Sequence, residues 1–456
     1  MQKPSRWRWR AGGAVHSAWQ CVAAAIATAS TAFAAIAFAA TAFAADTTLP
    51  QYSRDKHLGV ASCASGVCHG SVQGLEATHV LQNEYVTWTQ QDKHASAYQT
   101  LLSERSRKIA RNLGLPNAQE ATICLDCHAD NVPQAQRGDK FQINDGIGCE
   151  GCHGGAERWL SSHASNAQHQ DSLELGMYPT NNLRARADLC LSCHLGTDRK
   201  FATHRIMGAG HPRLAFELDT FGALQPQHYR VDADYAQRKG SPGSVGTWLA
   251  GLVTAAQKNL ELVQGPRFAA NTVFPEIALF DCHACHHPMS DQRWQPRKET
   301  ARLGPGEVRL NDANLVMLAS VTQIVAPRQY RALIDGVADL HAAVRSDRNA
   351  VIAAARRLST TVGQVGSSLT GGNVGDADLK RILGNLFKEG QQGEYRDYVS
   401  AEQAVMAVDL LLIAVGRKDT NKAGVDRLYA TVADENRFDA AKFADSLAAL
   451  QQQTGL

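Results

Sequence analysis

The sequence has little to spare. After position 44 no run of eighteen residues is apolar and free of charge, which is the length a bilayer-spanning helix needs. Charge of neither sign dominates: the first 44 residues hold four of the 46 basic residues and no acidic one, so residues 45–456 carry 42 basic against 44 acidic. No basic stripe is available for a nucleic-acid partner. Beyond about Thr300 there is no cysteine and a single histidine, His341, so the motifs described next are confined to the first two thirds. Of eleven cysteines, all but Cys21 fall into five close pairs, which leaves none for a disulfide or a catalytic nucleophile.

Each of those pairs is followed at once by histidine. The five motifs are Cys63/Cys68/His69, Cys124/Cys127/His128, Cys149/Cys152/His153, Cys190/Cys193/His194 and Cys282/Cys285/His286. Four read C-x-x-C-H, the attachment sequence of c-type haem, and the first reads C-x-x-x-x-C-H. In such a motif each cysteine sulfur adds to one haem vinyl group and the histidine becomes the proximal iron ligand. Histidine is 17 of 456 residues, so its chance presence after all five pairs has a probability of roughly one in ten million. Structural zinc needs four ligands from paired knuckles and no histidine beside each pair, and five pairs divide badly into twos. Disulfides leave the histidines unexplained. The expected cofactor is therefore haem c at five sites, the first demanding a bulge of two extra residues between its thioethers.

The amino terminus reads as an export signal. Lys3, Arg6, Arg8 and Arg10 precede an alanine-rich apolar run, and Ala42-Phe43-Ala44 offers a cleavage site, so residues 1–44 are expected to be removed and the product to be periplasmic. This suits haem attachment, which takes place outside the cytoplasm.

Distal iron ligands have to come from elsewhere in the chain. Asn83 to Ser103 is read as one helix, with Tyr85, Trp88, His94, Tyr98 and Leu101 in one stripe, and His94 is a distal candidate. Glu104 to Leu113 continues as a helix whose Arg105, Arg107, Lys108 and Arg111 form a solvated face, or a propionate-pairing patch. Trp159, Leu160 and His163 share a face, which makes His163 a second candidate. His204 and His211 stand seven apart, and Pro212 predicts a helix starting just after His211. One of the two is expected to reach a haem, and which one is open. His79 and His228 are further candidates outside any apolar stripe. His283 and His287 flank the fifth proximal ligand too closely to return to the same iron, and Met289 reads as a packing residue before a thioether ligand.

From Ser244 the pattern turns helical: Trp248, Leu252, Ala256 and Leu260 recur at four-residue steps over Ser244 to Leu262. Seven more helices are expected at Asp312–Ile324, Gln329–Val344, Arg348–Thr361, Asp376–Phe387, Tyr395–Val415, Val425–Ala433 and Phe438–Gln452, with a break at the glycine-rich stretch near Gly371. His341 lies on the apolar stripe of one of them and reads as a core residue. The fold class expected is mainly α: a loop-rich multihaem cytochrome c region at 45–300 wrapped around stacked haems, then a helical bundle at 301–456.

From about Cys63 to His211 the chain resembles the multihaem cytochromes of the cytochrome c-554 type, tetrahaem carriers that take electrons from hydroxylamine oxidoreductase in nitrifying bacteria. The likeness lies in the W-x5-H-A at Trp88, His94 and Ala95, in G-I-G-C-E-G-C-H-G followed by His163, and in C-L-S-C-H-L. It implies that His163 serves the first haem and His94 the fourth, that the second haem, on His128, has an open or weakly held sixth position, and that His204 or His211 serves the third. The C-x4-C-H spacing, the fifth motif and the carboxyl-terminal bundle depart from the family, so its donor does not carry over. Pentahaem nitrite reductases hold their catalytic haem by lysine in C-x-x-C-K, whereas every motif here ends in histidine.

Haems ligated by histidine on both faces transfer electrons without substrate chemistry. The expectation is an electron-transfer protein exchanging single electrons with redox partner proteins, with peripheral membrane association possible. The alternative is an enzyme acting on a small nitrogen or sulfur compound at an open haem.

Overall fold

Short helices separated by loops make up the first half of the molecule, and long packed helices the second. The computed structural model describes residues 48–76, 80–165, 167–241, 243–269, 275–286, 297, 302–304, 307–371 and 374–455. The stretch expected to be an export signal, His79, His287 and Met289 lie outside the described residues. Among the described residues the chain is helical with no β-strand, the only extended pairings being single bridges at His57–Arg137 and Phe280–Leu310.

In the motif-bearing half the helices are brief. The stripe expected to form one helix from Asn83 to Ser103 is divided into Glu84–Gln91, a 3-10 turn Lys93–Ser96 and Ala97–Leu101. The cause is Asp92: its backbone is extended, and its buried carboxylate accepts from the His94 backbone N–H, a local cap that competes with helix continuation. Pro212 likewise does not start a helix. Thr203 caps the helix His204–Gly208 instead, and the chain from His211 to Glu217 is irregular. Side-chain cores here are small, such as Leu101, Ala110, Ala118, Leu125 and Ala129.

The second half is built from α1 (Gly243–Gln264), α2 (Ala313–Val325), α3 (Pro327–Val344), α4 (Arg348–Gly371), α5 (Asp376–Gln391), α6 (Tyr398–Ala414), α7 (Lys418–Thr431) and α8 (Ala440–Thr454). All eight lie where sequence periodicity places helices, with shifted ends. Pro327 occupies the first turn of α3, where its missing N–H costs nothing. The largest shift is in α4, which runs on past Thr361 through Gly363 and Gly366. A Cβ at Gly366 would come within 2.8 Å of Val253 on α1, so this glycine allows close helix packing and does not break the helix. Helix α1 joins the halves: it packs on α4 and also on the helix Leu183–His194, which ends in the fourth motif. The main apolar core runs from Trp248 on α1 to Leu450 on α8. His341 is buried within it, its Nε2 2.9 Å from Asp312.

Candidate haem-binding sites

The third motif shows how local sequence builds a site. Cys149–His153 forms a single helical turn. Glu150, between its cysteines, is 3% exposed and accepts three backbone N–H groups, from Leu58, Gly59 and Ala156, each at 2.7 Å. The carboxylate thereby ties the third motif to the segment entering the first. On its other side Ile147 N–H donates to the His94 carbonyl at 3.0 Å, and Trp88 Nε1 donates to the Ile147 carbonyl at 3.1 Å. Gly155 follows where a Cβ would fall 2.5 Å from the Asp55 carbonyl oxygen.

The first motif is built differently. All ten motif cysteines are free of disulfides, and eight are at least partly shielded, but Cys68 and Cys285 are exposed. In the first motif the two extra residues close a turn, with Cys68 N–H donating to the Ser65 carbonyl at 2.8 Å. That turn carries the Cys68 side chain to the surface while Cys63 stays half-buried against Cys149. The expected bulge is therefore present, and it sets the two cysteines of this motif in unlike surroundings. His69 is still brought back, its N–H donating to the Cys63 carbonyl at 3.2 Å.

Every motif histidine faces a second histidine. The ring centres of His69 and His163 are 5.9 Å apart, His94 and His194 6.2 Å, His128 and His211 6.3 Å, His153 and His228 6.4 Å, and His204 and His286 6.2 Å. A metal sits about 2.0 Å from an imidazole nitrogen and that nitrogen about 1.1 Å from the ring centre, so two imidazoles on opposite sides of one metal have centres about 6.2 Å apart. All five separations match this spacing. Among the described residues no cluster of three or more histidine, cysteine or carboxylate side chains is arranged to hold a metal. Two axial imidazoles with the other donors supplied by a porphyrin fit that pattern.

The outer nitrogens are engaged. His69 Nδ1 meets Glu84 at 2.9 Å, His94 Nδ1 meets Asp92 at 2.8 Å, His128 Nδ1 meets the Ala97 carbonyl at 3.1 Å and His211 Nδ1 meets the Pro212 carbonyl at 2.7 Å. Such partners fix tautomer and ring orientation and direct Nε2 inward. Hydrogen bonding to Glu84 raises the His69 pKa, and Asp92 does the same for His94. Asp92 itself falls to about 2: burial works against its charge, and hydrogen bonds from His94 and Gln225 outweigh that. His153 drops to about 3, chiefly through burial.

Where each candidate lies differs in part from expectation. His163 faces His69 and His94 faces His194, the pairings the family likeness implies. His211 faces His128, the position that likeness leaves open or weakly held. Neither His204 nor His211 faces His153; His228 does. His204 faces His286 of the fifth motif. The basic helix Glu104–Leu113 is more than a solvated face, because Arg105 donates to the Gly210 carbonyl at 2.9 Å and Asn112 to the Ala209 carbonyl at 2.9 Å, which holds the loop that presents His211.

The motifs also adjoin one another. Cys63 lies beside Cys149, and Cys127 beside Cys193. Cys152 is close enough to Cys190 and Cys193 that their charge, after burial, raises its pKa. Buried Lys200 reaches Cys193 at 3.0 Å. His204 and His211 stand at either end of one short turn. A cavity of about 270 Å³ beside the second motif is lined by Ile123 and Phe201 together with Arg199, Arg205 and Arg267.

Residues 62–154 match the family model for cytochrome c554 and c-prime, and this supports a cytochrome c family assignment. No curated protein and no solved structure matches the chain.

Proposed function

We propose, from the premise that residues 62–154 are of the cytochrome c554 and c-prime type, that the chain is a pentahaem electron-transfer protein in which every iron has two histidine ligands. The family implies covalently bound haem c and electron transfer by a c-type cytochrome. The observation that carries the finer reading is the five histidine pairs spaced for one metal each. His163, His211, His228, His94 and His204 then serve as distal ligands to the haems on His69, His128, His153, His194 and His286 respectively. The haems would supply one-electron chemistry at iron. The protein's part is to hold two imidazoles on each iron, orient them through their Nδ1 partners, and keep the sixth position closed to small molecules.

Motif contacts support a linear order. First adjoins third, third adjoins fourth, fourth adjoins second, and the helix His204–Gly208 connects second to fifth. Electrons entering near the first haem would leave near the fifth, or the reverse, to redox partner proteins. Exposed Cys68 and Cys285 belong to these two end motifs, where a haem edge nearest the surface would serve exchange with a partner. Export of residues 1–44 would place this carrier in the periplasm, and among the described residues no helix is long and apolar enough to cross a membrane.

Adsorbed on an electrode, the protein is expected to show reversible uptake of five electrons and no catalytic current with nitrite or hydroxylamine. A catalytic current would favour the enzymatic reading. His228→Ala is expected to convert one low-spin haem to high-spin, and an unchanged spectrum would remove His228 from the ligand set.

A further inference from the structure

The fifth motif differs from the others in what holds it. Its loop, Asp281-Cys282-His283-Ala284-Cys285-His286, is held by charged and polar contacts to the segment before α2 and to the start of α6, whereas the fourth motif meets the long helices through apolar packing on α1. Asp281, 6% exposed, accepts from the His283 N–H at 3.0 Å and so caps the turn that carries Cys282. Its other oxygen meets Arg309 at 2.7 Å. Arg309 also pairs with Asp397, at the amino terminus of α6, at 3.3 Å. His283, between the two cysteines, is buried, and its Nδ1 accepts the Tyr398 N–H of α6 at 3.2 Å. Asp397 in turn caps α6 by accepting from Ser400 N–H at 2.8 Å and is bound by Arg297 at 3.0 Å.

These contacts tie His283, inside the fifth motif, and Asp281, just before it, to one helix end through a carboxylate–guanidinium–carboxylate chain and a ring nitrogen. Exposed ion pairs contribute little, but this chain is largely buried, where removing one partner leaves a charge without compensation. The loop must present His286 opposite His204, whose backbone N–H is fixed by Glu276 at 2.8 Å. A small shift of Asp281 would tilt the loop and with it the ring.

We propose that the carboxyl-terminal bundle serves the fifth haem: Asp281 and Arg309 are positioning residues that, with Asp397 and His283, hold the Cys282–His286 loop in register with His204 and set the potential of that haem. This rests on reading the fifth motif as a haem site. Asp281 and Asp397 meet the same nitrogen of Arg309, so removing this guanidinium takes a positive charge from beside the haem loop, which favours the oxidised iron and lowers its potential.

The test uses full-length, haem-loaded protein carrying Arg309→Ala, Arg309→Lys or Asp281→Asn. Intact mass counts covalent haems, and a spectroscopic redox titration with paramagnetic resonance resolves them individually. Arg309→Ala is expected to keep five haems, to lower the potential of one component and perturb one low-spin signal, and to leave the other four unchanged, with Arg309→Lys restoring most of the shift. Asp281→Asn is expected to move the same component and provides the test if Arg309→Ala does not fold. Loss of thermal stability with all five potentials and signals unchanged would reduce these residues to a bundle brace and overturn the proposal. So would a shift spread over all five haems. A wild-type protein with four haems and unmodified Cys282 and Cys285 would instead overturn the underlying haem reading.

Discussion

Glu150 offers the sharpest energetic test of how the haem loops are held. Its two oxygens divide three backbone donors: Leu58 and Ala156 share Oε1, and Gly59 binds Oε2. Hydrogen bonds to a charged acceptor are each worth about 1.5–3 kcal/mol, and a buried N–H left without a partner costs about 1–3 kcal/mol. Removing the carboxylate also removes its own desolvation penalty, which burial makes large enough to raise its pKa despite the three donors. Glu150→Ala is therefore expected to lose about 3–5 kcal/mol, a fall in Tm of about 6–10 °C at roughly 2 °C per kcal/mol. Glu150→Gln keeps the Oε1 contacts and turns an amide donor toward the Gly59 N–H, so about 2 kcal/mol is expected. Calorimetric melting of the haem-loaded protein checks both values. An alanine variant within ~0.5 kcal/mol of the parent, or a glutamine variant as damaged as alanine, would refute the reasoning.

Asp312 lies buried between Arg297 and His341; burial opposes its charge, but the Arg297 guanidinium and the His341 hydrogen bond outweigh burial and hold its pKa far below the usual carboxylate range. Its folded pKa being the lower one, the unfolded chain binds more protons in the acid window, so this stabilisation is present above about pH 4 and is lost as pH falls. Asp312→Asn should cost about 3–5 kcal/mol at neutral pH and flatten the acid limb of the stability curve, as measured by denaturant unfolding across pH. Gly155→Ala would set a Cβ 2.5 Å from the Asp55 carbonyl and 2.8 Å from the His57 ring, with backbone on two sides and no room to yield. A loss of about 1–3 kcal/mol or failure to mature is expected, and wild-type melting would contradict it. Cys68→Ser is expected to leave the first haem bound through Cys63 alone, and mass spectrometry of haem-bearing peptides that finds no change in the first motif would contradict a thioether at Cys68.

The motifs and the long helices were legible in the sequence because both are local. C-x-x-C-H is a fixed spacing, and a 3.6-residue apolar stripe marks each of α1 to α8. What could not be read is what depends on distant chain. His228 sits in a polar stretch with no stripe, and it faces His153 only because that stretch turns back over the third motif. Asp92 breaks a stripe that otherwise reads as one helix, since a cap leaves no trace in apolar periodicity. The spacing of the first motif announces a bulge, but the exposure of Cys68 depends on which way the turn at Ser65 points. Gly366 carries ordinary breaker chemistry, and only the approach of α1 makes it a packing residue. Glu150 was hidden inside a motif read for its cysteines and histidine, and its three donors come from segments on either side. The clamp on the fifth motif joins residues such as Asp281 and Asp397, whose partnership no local pattern announces.

The central claim, five irons each with two histidines, is tested most directly by electron paramagnetic resonance of the oxidised protein. Parallel imidazole planes act on one iron dπ orbital and give a rhombic low-spin signal; perpendicular planes act on both dπ orbitals equally and give a strongly anisotropic one. The planes meet at 14° and 29° for the first and fifth pairs, and at 80°, 84° and 88° for the second, third and fourth. The predicted result is two rhombic and three strongly anisotropic low-spin signals with no high-spin component. A high-spin signal that shifts on adding cyanide or nitrite would contradict the account.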